Sequence, residues 1–137
     1  MGRLSENFKL SSGTWVNVAQ VRLGVVEACS PLVLDAVVAG HDRESLGVLL
    51  FPSPAAASVP ADELTTRLRA ALTTHNLAHP TSSERIARAL VMPTPLSLDD
   101  GETTDKGYTN QRRVLDRRAS DVDRLLAASP DDAVLTL

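Results

Sequence analysis

The sequence predicts an α+β domain: a small antiparallel sheet of about three strands flanked by helices, preceded by an N-terminal β-hairpin. Three observations carry this. Residues 32–40 and 46–52 are two branched-aliphatic runs joined by the polar turn His41-Asp42-Arg43-Glu44-Ser45, as expected of paired core strands. Apolar residues recur at helical spacing before and after those runs. Residues 8–10 and 14–16 are short strand-like segments separated by Ser11-Ser12-Gly13, a glycine-containing hairpin spacing. Amphipathic helices and a one-sided sheet bury their apolar faces against each other.

Each element follows in order. Trp15, the only tryptophan, alternates with Val16 on the second arm of the hairpin and is expected to pack in the core. Val18, Val21, Val25 and Ala28 define a short amphipathic helix that Pro31 stops. The two aliphatic runs come next and should pair antiparallel. A connector rich in Pro, Ala and Ser spans 52–60, and a second helix spans about 62–76 with Leu64, Leu68, Ala71 and Leu72 on one face. Asp62 and Glu63 suit its positive N-terminal end. Residues 86–92 fit helix or strand on pattern alone. A last helix over about 110–128 carries Val114, Leu115, Val122, Leu125 and Leu126 on an inward stripe, and the tail after Pro130 reads as loosely extended.

A chain of 137 residues builds one ordinary core, and neither a repeat nor a second-domain boundary interrupts residues 1–137. Its 43% hydrophobic content and formal charge of −3 are those of a soluble globular domain and give no electrostatic footprint for nucleic acid or an anionic membrane. Aromatics make up only 3%, so aliphatic side chains must form the core. The single Cys29 excludes an internal disulfide and fits a reducing compartment as a buried thiol. No apolar run reaches the ~18 residues of a membrane span, and no secretory pattern opens the chain, so a cytoplasmic location is expected.

The stretch Gly101-Glu102-Thr103-Thr104-Asp105-Lys106-Gly107-Tyr108-Thr109-Asn110-Gln111-Arg112 places a lysine in a glycine-flanked polar turn that opens into an arginine-rich helix. A lysine ammonium is a compact charge with three donors, suited to bridging a carboxylate and a phosphate as charge builds. Near the other end stands Gly2-Arg3-Leu4-Ser5-Glu6-Asn7-Phe8-Lys9-Leu10-Ser11-Ser12-Gly13-Thr14-Trp15-Val16. Together the two motifs resemble the C-terminal domain of AMP-forming acyl-CoA synthetases, in the adenylate-forming ligase superfamily, over nearly the whole chain. The Thr-Asp-Lys-Gly setting departs from the Ser-Gly-Lys of most members and is similar to the feruloyl-CoA synthetase-like branch.

The resemblance implies a third strand at 86–92 and a mobile lid domain with residues in four roles. Lys106 corresponds to the lysine of the adenylation half-reaction. Arg3 and Lys9 correspond to nucleotide-contacting residues, and Gly13 to a glycine lying against the CoA pantetheine. The hinge falls at Ser5 and Glu6, with Ser5 where relatives carry Asp or Lys. The implied co-substrates are ATP and CoA, with Mg2+ bound mainly by an N-terminal domain absent from this chain. The implied partners are that domain and an aryl or fatty carboxylic acid. The lid alone is not expected to activate acids. A free-standing interaction or regulatory module with the same fold is the alternative reading.

Other polar residues have simpler explanations. His75 and His79 have the spacing of a two-histidine metal face, but Pro80 breaks the helix at once and no third ligand is evident in a chemistry that needs three or four. Arg112, Arg113, Arg117, Arg118 and Arg124 alternate with Asp116, Asp121 and Asp123, which predicts a solvated, ion-paired face rather than a nucleic-acid footprint.

Overall fold

The computed structural model describes residues 7–106, 108–130 and 132–137. Strands β1 (Phe8–Lys9) and β2 (Trp15–Val16) form the expected antiparallel hairpin. Helix α1 (Val18–Cys29) follows, started by Asn17, whose side chain accepts from the Gln20 amide, and by Asn7, whose Oδ1 accepts from the Val18 amide at 3.0 Å. Strands β3 (Val33–Ala39) and β4 (Leu46–Pro52) pair antiparallel, as their sequences predict. A 3₁₀ turn at Pro54–Ser58 leads into α2 (Ala61–Ala78), then β5 (Ile86–Val91), α3 (Gln111–Arg117), α4 (Ala119–Leu126) and β6 (Val134–Thr136).

The α+β class holds, with a correction to the sheet. It has four strands in the order β3-β4-β5-β6, and it is mixed: β4 and β5 run parallel while the outer pairs are antiparallel. The reason is connectivity, because the path from β4 to β5 passes through α2, and a helical crossover returns the chain in the same direction. The tail is not loose, since Val134, Leu135 and Thr136 pair with Leu90, Ala89 and Arg88.

Both faces of this sheet are covered. Ala36, Val38, Val48, Leu50, Ala89 and Leu135 point into one layer with α1, α2 and the hairpin residues Leu10 and Val16. Their neighbours Val37, Ala39, Leu49, Phe51, Leu90 and Val134 point into the other with Val114 of α3 and Leu125 of α4. Alternation along a strand sends successive side chains to opposite faces. Two buried faces therefore require the unbroken aliphatic runs seen in β3 and β4.

The expected single C-terminal helix is two helices meeting at Arg118, which has φ −107° and ψ 33°. Trp15 also departs from expectation: it is 62% exposed, while Val16 beside it is fully buried. Period-2 alternation allows one of the pair inward, and the smaller, branched residue takes the core position.

Candidate functional site: the Lys106 loop

Residues 103–104 and 108–109 pair as the two legs of a miniature hairpin between β5 and α3. Thr103 and Thr109 make an antiparallel bridge, the Thr104 amide donates to the Tyr108 carbonyl at 2.8 Å, and the Tyr108 amide donates to Thr104 Oγ1 at 3.1 Å. Lys106 sits in the turn at the tip, exposed and with no hydrogen-bond or ion-pair partner among the described residues.

The first leg is rooted in Glu102, whose side chain is fully buried. Its carboxylate accepts from Arg118 Nε at 2.7 Å, Arg118 Nη2 at 2.9 Å, Arg117 Nη1 at 3.0 Å and the Ser97 amide at 2.9 Å. Those donors, Arg118 foremost, hold the carboxyl below its ordinary pKa against the opposing effect of burial. Arg118 is saturated in turn: it donates to Thr94 Oγ1 at 2.8 Å and to the Pro95 carbonyl at 2.9 Å, and its guanidinium lies 4.9 Å from the Phe51 ring centroid. The helix breaks where this guanidinium must reach inward.

The second leg is rooted in Thr109, Asn110 and Gln111. Asn110 caps α3 through its side chain, and its amide donates to the Glu102 carbonyl at 2.8 Å, closing the loop base. Gln111 is buried, and its Oε1 accepts from the Val38 amide at 3.0 Å, satisfying a donor on the edge strand β3. Thr109 Oγ1 donates to Asp35 Oδ2 of β3.

The hairpin β1–β2 is fastened to the body rather than hanging from it. The Ser11 amide donates to the Arg43 carbonyl at 2.8 Å and the Asp42 amide to the Lys9 carbonyl at 3.0 Å. Gly13 sits at its tip with φ +87°, a conformation that favours glycine, and a Cβ built there would meet nothing within 4 Å. Lys9 is exposed, with its Nζ 5.0 Å from the centroid of the Trp15 ring. Lys106, Lys9 and Gly13 thus lie on two fixed projections of one body. Arg3, Ser5 and Glu6 lie outside the described residues.

The profile of a family described as "AMP-binding enzyme C-terminal domain" matches residues 7–129. The chain belongs to this family. Among solved structures, this AMP-binding C-terminal domain is similar to the A domain of carboxylic acid reductase from Segniliparus rugosus in complex with AMP and a co-purified carboxylic acid. The TM-score is 0.72 at 22% identity, over 88% of this chain and 20% of that one. The adenylation domain of the carboxylate reductase from Mycobacterium chelonae matches with a TM-score of 0.73 at 22% identity, over 88% of this chain and 19% of that one. The A-PCP didomain of the Segniliparus rugosus enzyme, in complex with AMP, matches with a TM-score of 0.70 at 22% identity, over 86% and 17%. At this identity the likeness is one of fold, and the domain spans about a fifth of each neighbour. No curated protein matches the chain.

Within this family member, Arg112, Arg113, Arg117 and Arg124 of the last helices are exposed as expected, and Arg118 departs from that face. Arg118 is buried on Glu102, and Arg117 reaches both Glu102 and Asp100. Arg124, 3.5 Å from Asp121, follows the helical-spacing pattern of an exposed pair. His75 and His79 are engaged structurally: His75 Nε2 lies 3.0 Å from the Glu84 carbonyl and His79 Nδ1 2.7 Å from the Glu84 carboxylate. Among the described residues no three His, Cys, Asp or Glu side chains gather as a metal cage, and no helix is long and apolar enough to cross a membrane.

Sequence reasoning missed Glu102, Arg118, Asp35 and Thr109 as parts of the site. Asp35 did carry a signal, as the one charge inside the aliphatic run 32–40, where a carboxylate needs a partner. Glu102 carried none, because a polar residue in a polar loop reads as solvated.

Proposed function

We propose that this domain is the mobile C-terminal lid of an ATP-dependent, AMP-forming carboxylic acid ligase, and that Lys106 is its adenylation lysine. The observation that carries the reading is an ammonium with no partner among the described residues, at the tip of a short loop whose two legs are locked into the fold. A cation left free of partners by the described residues of its own domain, yet held in place, is poised for ligands supplied from outside it. When the lid docks on an N-terminal domain, Lys106 would bridge the acid carboxylate and the α-phosphate while acyl-AMP and pyrophosphate form. Mg2+ would arrive with ATP and be held mainly by that N-terminal domain, so no step is assigned to a metal here.

Rotation about a hinge at Ser5 and Glu6 would then exchange the Lys106 loop for the hairpin bearing Lys9 and Gly13, with Arg3 and Lys9 toward the nucleotide. The Thr-Asp-Lys-Gly setting supports an acyl-CoA ligase of the feruloyl-CoA synthetase-like branch acting on an aryl or fatty acid, with CoA as the thiol. Similarity to reductase adenylation domains, one solved together with a PCP domain, favours a second reading in which the thiol belongs to a carrier domain. Both readings share acyl-AMP chemistry and the same lysine.

The test uses the full-length enzyme with the N-terminal domain in place. In Lys106→Ala, acid-dependent pyrophosphate release should fall at least about a hundredfold, the scale of losing one preorganised charge partner. Thiol capture of supplied acyl-AMP should persist. Unchanged pyrophosphate release would discard the assignment and leave the free-standing module as the working reading. Product analysis with free CoA against a pantetheinylated carrier separates the two thiol acceptors.

A further inference from the structure

We infer that Thr109 and Asp35 are positioning residues for Lys106, fixing the second leg of its loop to the edge of the sheet; this rests on the adenylation role of Lys106. Asp35 follows an irregularity in β3, where Val33 pairs with Pro52 and Asp35 with Phe51, so that Leu34 is extruded and 65% exposed. The bulge leaves the Asp35 carboxylate at the sheet edge, four-fifths buried. Arg22 of α1 holds it there as a fork: Nη2 donates to Oδ1 at 3.0 Å and Oδ2 at 2.8 Å, while Nε donates to the Ala36 carbonyl at 2.9 Å. The Ala36 amide adds a further bond to Oδ1 at 2.8 Å. The carboxylate's orientation is therefore set before Thr109 engages it, and the remaining acceptor capacity of Oδ2 meets the Thr109 hydroxyl.

This contact has no structural need of its own. Thr109 is only half-buried, and Asp35 is already paired by Arg22, so the fold stands without the hydroxyl. What the hydroxyl adds is a third-sequence-neighbour tether to Lys106, on the side opposite the Glu102 anchor. With both roots held, the short hairpin has little freedom to tilt. Without the hydroxyl contact the leg is still held at Asn110 and Gln111, but its tip-side end is free to shift by about an ångström, a displacement on the order that costs catalysis up to about a hundredfold.

The variants are Thr109→Val, which removes the hydroxyl at nearly constant shape, and Thr109→Ser, which keeps it. In the full-length enzyme, Thr109→Val should lower the rate of pyrophosphate release about tenfold, leave thiol capture of supplied acyl-AMP within about twofold, and leave the unfolding midpoint nearly unchanged. Thr109→Ser should restore the adenylation rate, and Asp35→Ala should reproduce the loss. Equal loss in both half-reactions, no loss in Thr109→Val, or failure of serine to rescue would overturn the positioning role. Lys106→Ala, run in parallel, keeps the two claims apart: if it abolishes adenylation while Thr109→Val leaves the rate unchanged, only the positioning role fails. If Lys106→Ala is itself silent, the adenylation reading fails and the positioning role with it.

Discussion

Glu102 and Arg118 are two charges taken out of water to hold one loop, and the arrangement is only favourable while both are present. The carboxylate has donors on both oxygens, and the guanidinium spends all of its nitrogens on Glu102, Thr94 and Pro95. Removing one partner strands the other, so Glu102→Gln and Arg118→Met should each destabilise the domain by about 3–5 kcal/mol in urea unfolding. The pH dependence has a definite sign. The folded-state pKa of Glu102 is lowered, so its stabilisation is complete above the ordinary carboxylate value near about 4.3 and is lost as pH falls through the lower folded value. Unfolding midpoints measured between about pH 6 and pH 3 should show that loss in the wild type and a shallower one in Glu102→Gln. An equally steep acid response in the variant would assign the effect to other carboxylates. Cys29, by contrast, is inert by environment: burial pushes its thiol up to about 11, leaving little thiolate at neutral pH.

At the scale of elements, α4 packs tightly against β4 at Gly47. A Cβ added at Gly47 would lie 2.8 Å from Leu125 Cδ2 and 2.9 Å from its Cγ, so the helix sits directly on the strand backbone. Gly47→Ala should therefore cost about 1–3 kcal/mol by overpacking, while Leu125→Ala in the same background should recover part of the loss, a coupling that a double-mutant cycle measures. Much of this level was legible in sequence: the hairpin, α1, the β3–β4 pair and α2 follow from turn glycines, apolar period and Pro31. The helix break was not, because a one-residue interruption at Arg118 hardly disturbs the phase of Val114, Val122 and Leu125, and its cause is Glu102, sixteen positions away. Strand β6 was missed because three residues are too few to show a period. The direction of β5 was available in the helix that separates it from β4, and was outweighed by the expectation of a small antiparallel sheet.

At the scale of the whole molecule, the described residues form one body carrying two projections, the arrangement that the proposed lid with two docked positions requires. The hairpin is bonded to the β3–β4 turn and buries Leu10 and Val16 under the α1 layer, whereas the Lys106 loop is rooted through Arg118 beside Phe51 in the opposite layer. The turns that hold Lys106 and Gly13 were legible from their residue types, whereas the roles proposed for the two residues come from the family resemblance; the network that roots the Lys106 loop was not legible, because its members are distant in sequence. A body of this kind predicts separable defects. The space around Gly13 is open in the domain itself, so Gly13→Ala meets no clash there and costs only the φ +87° strain, about 1 kcal/mol. Any larger effect on turnover must come from whatever packs against that glycine in the docked enzyme. In the full-length enzyme, well below the unfolding transition, Gly13→Ala should slow thiol capture of supplied acyl-AMP about tenfold and leave pyrophosphate release unchanged, the mirror image of Lys106→Ala. Defects confined to opposite half-reactions would place the two projections at the active site in turn; a Gly13→Ala effect on adenylation of equal size would instead tie both to a single docked state and remove the need for rotation.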